Sequence, residues 1–230
     1  MKNLLNQTPY MKLSGRTLFT VNKFVEKKDI KNKKVLNVGC GFGWFELWAK
    51  NQGVKKIIGM EISKNDLKTA KTIKCREIGF KIGSAIKIPF TMKSFDTVVC
   101  WEVLEHIPKG TENIFFKEAS RVLKKGGVLY ISTPNQSFWS CVLDPAWWLV
   151  GHRHYSSKKL KKIVNETNFI IKKIITRGSW WEQFSMLNLY ISKWVFRSKP
   201  MLEGYFMSKN DKDFNKNKGW STLFLKLKNG

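Results

Sequence analysis

Residues 35–43 read Val-Leu-Asn-Val-Gly-Cys-Gly-Phe-Gly, and Glu61 stands 18 positions beyond the last of those glycines. Glycine accepts positive φ and lets backbone N–H groups come close to a ligand. A carboxylate that ends the following strand accepts hydrogen bonds from a ribose diol. The pairing is the chemistry of an adenosine-containing cofactor held at the carboxyl ends of parallel strands. The chain also has 3 histidines, His106, His152 and His154. Histidine is the side chain suited to taking a hydroxyl proton near neutral pH.

The glycine spacing narrows the cofactor. A dinucleotide fingerprint, G-x-G-x-x-G, needs its third glycine at position 44, where this chain has Trp44. A bulky indole there opposes the close approach of pyrophosphate and helix. No Gly-Lys-Ser/Thr follows, so a nucleotide-triphosphate loop is excluded as well.

These residues require elements to position them. Apolar runs bounded by turn residues predict strands over 34–39, 56–61, 79–82, 95–101, 127–132, 169–177 and 219–228. Helices are predicted over 43–51, 64–77, 111–124 and 156–167, the last opening at Ser156 or Ser157 as N-cap. Gly126 and Gly127 read as a helix stop. Strand–helix alternation implies a parallel sheet with helices on both faces, an α/β class. Residues 11–28 predict one further helix before the core. The domain reading is a single unit, residues 1–230: a helical cap (1–30), a cofactor-binding core (33–178), an aromatic insertion or lid (180–218) and a last strand (219–230). The insertion is inferred because a closing hairpin needs only a short turn, not about 40 residues.

Composition limits the rest. With 42 Lys+Arg against 17 Asp+Glu, the formal charge is +25. This favours an anionic partner, either RNA or an anionic membrane surface. Most of the basic residues are lysines spread along the chain, often beside asparagine, which is equally the signature of a compositional bias. There is no run of 18 apolar residues, and the first residues lack the apolar core of a signal peptide, so a cytoplasmic location is expected. The cysteines at 40, 75, 100 and 141 form no C-x-x-C. No His/Cys cluster has metal-ligand spacing, and no metal is assigned.

The ordered set of motifs resembles the class I S-adenosylmethionine-dependent methyltransferases, close to the broad group that includes ubiquinone-biosynthesis methyltransferases. Residues 35–43 resemble motif I, Glu61 its acidic partner, and 83–90 (Gly-Ser-Ala-Ile-Lys-Ile-Pro-Phe) a G-D-A-x-x-L-P-F segment. Residues 95–107 resemble the fourth strand and its loop, 121–129 the turn into the fifth strand, and 152–156 (His-Arg-His-Tyr-Ser) a segment frequent before the next helix. The resemblance covers about residues 33–176 and implies a seven-stranded sheet in the order 3-2-1-4-5-7-6, with strand 7 antiparallel. It further implies that Gly39, Cys40, Gly41 and Gly43 hold the methionine end of S-adenosylmethionine. Glu61 would bind the ribose and Ile62 would pack on adenine. Ser84 and Ala85 would flank the adenine amino group, and Trp101 would lie beside the sulfonium. Two positions depart from the pattern. Asn37 stands where aspartate is common, and Ser84 replaces the aspartate of G-D-A; both remove negative charge, so a somewhat weaker cofactor affinity is expected.

The methyl acceptor has three readings. The first is an oxygen of a small or lipid-linked molecule, with aromatic segments at 138–149 and 180–206 suited to a membrane interface or a closed lid. The second is RNA, against which stands the absence of an appended RNA-binding module and of an N-P-P-Y-type signature. The third is a non-catalytic binding protein that keeps the fold. Arg153 is a candidate for holding an anionic group of the acceptor, and Tyr10 and Arg16 for a lid over the pocket.

Overall fold

A computed structural model describes residues 8–230. The part of the expected N-terminal cap that precedes residue 8 lies outside them.

Seven strands form one sheet: β1 (Lys34–Val38), β2 (Lys56–Glu61), β3 (Ile78–Ile82), β4 (Phe95–Trp101), β5 (Leu123–Pro134), β6 (Phe169–Arg177) and β7 (Thr222–Asn229). Their order is β3-β2-β1-β4-β5-β7-β6, and β7 pairs antiparallel with both β5 and β6. The remaining pairs are parallel. This is the order the motif resemblance implied. Alternation along the strands divides the core between two faces. Leu36, Val98, Leu129, Ile131, Leu223 and Leu225 point to one side, under α4 (Glu112–Val122) and α7 (Ser157–Asn165). Val35, Ile57, Val99, Trp101, Tyr130 and Phe224 point to the other, under α2 (Trp44–Asn51) and the N-terminal segment.

The N-terminal segment is not the single helix expected over 11–28. It is a short helix α1 (Gly15–Phe19), a π-helical turn Thr20–Phe24 and a 3-10 turn Lys27–Asp29. The wide turn closes by Val25 N–H donating to Thr20 O at 2.9 Å. It buries Thr20, Val21 and Phe24 together, more than a regular helical stripe would. Phe24 then meets Tyr130 and Phe224 edge-on or tilted, at 5.5 and 5.1 Å between ring centroids.

Other boundaries also differ. Helix α3 spans Lys64–Ala70, not 64–77, because Thr72 folds its hydroxyl onto Thr69 O (2.8 Å) and the chain turns. The Gly126–Gly127 pair lies inside β5 instead of ending a helix; α4 stops at Val122, and Gly126 takes φ +74 beside the irregularity between Phe95 and Thr97. The last strand begins at Thr222, since Trp220 and Ser221 N–H groups both donate to Gly178 O (2.8 and 3.1 Å) in a turn that keeps 219–221 out of the ladder. Between β6 and β7 the aromatic stretch forms two helices, α8 (Trp180–Trp194) and α9 (Glu203–Asn215), and two short helices, α5 (Phe138–Val142) and α6 (Pro145–Val150), follow β5. No helix among the described residues is long and apolar enough to cross a membrane.

A buried tyrosine ties the N-terminal segment to the sheet. Tyr130 Oη donates to Asp29 Oδ2 at 2.6 Å and accepts from Glu26 N–H at 3.2 Å. Lys226 pairs with the same Asp29 oxygen at 2.9 Å. Tyr130→Phe is expected to destabilise the fold by about 1–3 kcal/mol, the range for orphaning a partly buried acceptor. Urea denaturation measures this, and an unchanged midpoint would remove the tyrosine's anchoring role.

Candidate active site

The turn after β1 forms a glycine cradle that could hold a cofactor. Gly39, Gly41 and Gly43 all have positive φ (+73, +51 and +87). A Cβ on Gly39 would sit 2.2 Å from Val103 Cγ2, whereas one on Gly41 would meet nothing within 4 Å. The turn is therefore packed on one side and open on the other, as a backbone that must accept a ligand requires. Glu61, at the end of β2, reaches across it. Its Oε2 accepts from Gly41 N–H at 3.0 Å, and its Oε1 accepts from Ile62 and Ser63 N–H at 2.8 and 3.1 Å. Ile62 beside it is 70 % exposed, an apolar side chain with no core to serve. Ser84 turns its hydroxyl toward Ile86 N–H (3.4 Å), and Ala85 packs on the core. Trp101 is buried between Phe45 and Tyr130, and its indole Nε1 has no partner. Cys40 is buried, and burial pushes its thiol up, so it has no nucleophilic character.

These features fit S-adenosylmethionine: an open glycine cradle, a carboxylate across it, an exposed apolar side chain and an unpaired buried donor. Asn37 departs from expectation. It is 1 % exposed and donates its amide to Glu46 Oε1 at 2.9 Å, so it braces the first turn of α2. Burial pushes the Glu46 carboxyl up to about 8. Glu46, which sequence reading did not single out, is the buried partner that fixes Asn37 under this turn.

A second constellation lies at the carboxyl ends of β4 and β5. Glu102, in left-handed backbone (φ +52), accepts from Ser132 Oγ at 2.6 Å and pairs with Arg16 at 2.9 Å. Arg16 also reaches Glu182 of α8 at 3.3 Å. Burial opposes its charge, but Glu102 and Glu182 together raise its pKa. Burial pushes Glu182 up to about 7 despite the cation. Arg16 therefore joins the N-terminal segment to the loop after β4 and to α8. Tyr10 is 71 % exposed and makes no side-chain hydrogen bond to this group among the described residues.

The three histidines do converge. His106 lies tilted against His152 at 4.8 Å between centroids, and His152 meets His154 edge-on at 6.0 Å. Asp144 Oδ2 lies 2.9 Å from His152 Nδ1 and 2.8 Å from His154 Nε2. Glu105 Oε1, fully buried and without a hydrogen-bond partner, is 3.9 Å from His152 Nε2. Burial, then the charge of Glu102, pushes the Glu105 carboxyl well above its usual range. Loss of water around the ring and the neighbouring His152 hold the His106 imidazole below its usual value. Glu105, His106, His152 and Arg153 line a cavity of about 440 Å³. Arg153 is engaged by protein: its guanidinium donates to Leu104, Glu105 and Ile107 carbonyls and lies 3.5 Å from Glu112. It thus locks the loop after β4, and four protein acceptors compete with any anion for it.

Sequence spacing gave no metal-type cluster, but the fold brings the donor atoms of Glu105, His106 and His152 within 4.8 Å of one another. Their sequence separation hid this. Glu105 and Asp144 were likewise missed. The available signals were the repeat of acid at 102 and 105, and an Asp-Pro that reads as N-cap and first helical residue.

A family described as "Methyltransferase domain" matches residues 36–131. A ubiquinone biosynthesis O-methyltransferase from Pelagibacter ubique is 31% identical over 188 residues, which cover 73% of this chain and 77% of that protein. One from Idiomarina loihiensis is 28% identical over 188 residues, 80% of this chain and 72% of that protein. The crystal structure of an S-adenosylmethionine-dependent methyltransferase from Mesorhizobium loti superposes with a TM-score of 0.62 at 15% identity, covering 91% of this chain and 95% of that one, a likeness of fold. The glycine turn of Gly39–Gly43 and Glu61 lies within the span these relatives match, and this chain is a member of the class I S-adenosylmethionine-dependent methyltransferases.

Proposed function

We propose that this methyltransferase acts on an oxygen of a small, lipid-linked acceptor at the cytoplasmic surface of an anionic membrane. The bound cofactor supplies an electrophilic methyl group on a sulfonium. Gly39, Cys40, Gly41 and Gly43 hold its methionine end; Glu61 takes the ribose hydroxyls, Ile62 the adenine face, and Ser84 and Ala85 the adenine amino edge. Trp101 packs beside the sulfonium. The cavity under Glu105, His106 and His152 receives the acceptor, and the protein's task is to orient it and exclude water.

The observation that carries the oxygen reading is this cavity. Nitrogen and sulfur acceptors need no dedicated base when already neutral or ionised, whereas a hydroxyl needs its proton removed. Two oxygen-methylating relatives in ubiquinone biosynthesis support the same choice. The lipid-linked reading rests on an exposed aromatic face. Phe138, Trp139, Trp180 and Phe184 follow one another at 5.0, 5.1 and 6.0 Å. Trp148, Trp194 and Phe196 are exposed as well, the last two near Arg197 and Lys199 in sequence. Amphipathic rings beside cations suit headgroup depth.

Labelled S-adenosylmethionine with a short-chain hydroxylated quinol tests the acceptor: an O-methyl product supports it, and an N-methylated product alone overturns it. Sedimentation with equimolar phosphatidylglycerol–phosphatidylcholine vesicles tests the surface. Wild type is expected in the pellet at low salt, and Trp180→Ser with Phe184→Ser about tenfold less so, because each buried ring contributes roughly 1 kcal/mol or more. Equal sedimentation of the variant, or salt-sensitive binding to RNA and not to vesicles, ends the membrane reading.

A further inference from the structure

The histidines at the cavity differ in what their ring nitrogens are free to do, and one carboxylate sets the difference. Asp144 is the N-cap of α6. Its Oδ1 accepts from Ala146 N–H at 2.9 Å, and Pro145 occupies the first helical position. Its other oxygen faces two imidazoles, which must both donate to it. Burial opposes its charge, but the hydrogen bonds from His152 and His154 hold its carboxyl well below the usual range.

His154 is closed on both sides. Its side chain is 1 % exposed, Nε2 lies on Asp144, and Nδ1 lies 3.2 Å from both Ser140 Oγ and Asn135 O. It can hold Asp144 but cannot reach an acceptor. His106 is exposed and has no hydrogen-bond partner among the described residues to fix its ring. His152, which lines the cavity, has Nδ1 engaged by Asp144 at 2.9 Å, while its Nε2 has no hydrogen-bond partner among the described residues and stands 3.9 Å from Glu105 Oε1. That separation is beyond hydrogen-bond distance, so Glu105 does not tie up the Nε2 lone pair.

We infer that Asp144 is the positioning residue of the methyl-transfer site, holding His152 as the Nδ1–H tautomer so that its Nε2 lone pair takes the acceptor proton. This rests on the oxygen-acceptor reading above. In the step, the acceptor oxygen forms a bond to the methyl carbon while the carbon–sulfur bond breaks and its electron pair stays on sulfur. The hydroxyl proton passes to His152 Nε2, giving an imidazolium that faces the ionised Asp144. The groups around His152 are Glu105, His106 and Lys109 from the loop after β4, Arg153 and His154 from its own loop, and Asp144 from α6. Tyr190 of α8 feels the Asp144 charge.

Asp144→Asn is the test. Asparagine keeps an oxygen for the helix cap but can turn an N–H toward the imidazoles, which selects the wrong tautomer. The expected result is a fall in kcat of about 100-fold or more, with acceptor KM within about twofold, and partial recovery in Asp144→Glu. Long-range 1H–15N spectra of the ring are expected to show His152 as Nδ1–H in wild type and as Nε2–H in Asp144→Asn, a change that a merely structural role would not produce. S-adenosylhomocysteine affinity and thermal midpoint check that the variant is folded, and His154→Gln, if Asp144→Asn fails to fold, is expected to loosen Asp144 and lower kcat about tenfold with the same change of tautomer. An unchanged kcat, or an Nε2–H signal in wild type, overturns the inference. So does activity abolished by EDTA and restored by Mg²⁺ or Zn²⁺ through His152, because Nε2 would then be a ligand. Should the enzyme methylate only nitrogen, the acceptor reading fails by itself, while the wild-type tautomer spectrum still decides whether Asp144 positions His152.

Discussion

Glu61→Gln is expected to weaken S-adenosylhomocysteine binding at least 100-fold in calorimetric titration, with the thermal midpoint of the apoprotein lowered only slightly. Hydrogen bonds to a charged partner are worth about 1.5–3 kcal/mol each, and a ribose diol offers two. Ser84 stands where an aspartate would share the load, which leaves Glu61 as the main acidic contact in the proposed cofactor site. The geometry makes glutamine a poor replacement. Three backbone N–H groups, from Gly41, Ile62 and Ser63, donate to the two Glu61 oxygens. A glutamine amide can satisfy only one side of that arrangement, and its NH₂ would face either those donors or the ribose. Glu61→Asp retains charge on a shorter arm and should recover part of the affinity. Unchanged binding by Glu61→Gln would mean that the glycine turn alone holds the cofactor, and the role given to this carboxylate would be wrong.

The sequence announced the cradle more completely than the acceptor cavity, for a physical reason. Gly39 to Gly43 and Glu61 are tied to the backbone geometry of consecutive strand–turn–helix units, so their spacing is fixed by local rules. The cavity is assembled otherwise. Glu105 and His106 come from the loop after β4, and Asp144, His152 and His154 from a connection containing two short helices after β5. Nothing in local spacing relates position 105 to 144. The histidines could be listed from composition, but their unequal roles depend on which nitrogen each presents, and that is a tertiary property. Sheet order followed from the motif resemblance. The errors fell at element ends, where single interactions decide: Thr72 turning on Thr69 O ended α3, and the Gly178 carbonyl delayed β7 to Thr222. The N-terminal helix failed because Phe24 and Val21 answer to Tyr130 and Phe224 across the core, not to their own periodicity.

Glu46→Gln is expected to stabilise the protein by a few kcal/mol at pH 8–9 and to leave it nearly unchanged near pH 4. Glu46 is wholly buried at the third position of α2, with its Oε1 accepting from Asn37 at 2.9 Å and its Oε2 without a partner. Burial is the largest effect on it and raises its folded-state value from 4.5 to about 8, against the hydrogen bond from Asn37 and the first-turn backbone N–H. A raised folded value means that the native state holds its proton more tightly than the unfolded chain does. Its contribution is therefore fully present below about pH 4.5 and is lost as pH rises through about 8. Each pH unit in that window withdraws about 1.4 kcal/mol at most, so the total is a few kcal/mol. Glutamine has nearly the same shape, carries no charge and brings an N–H₂ that the unpaired Asn37 Oδ1 can accept. It removes the ionisation without opening a cavity, and the stability-versus-pH curve should flatten between pH 5 and 8. Urea midpoints of both proteins across that range measure the difference. Parallel curves for wild type and Glu46→Gln would show that Glu46 ionises in the fold as readily as in water, and the neutral brace under the glycine turn would have to be abandoned.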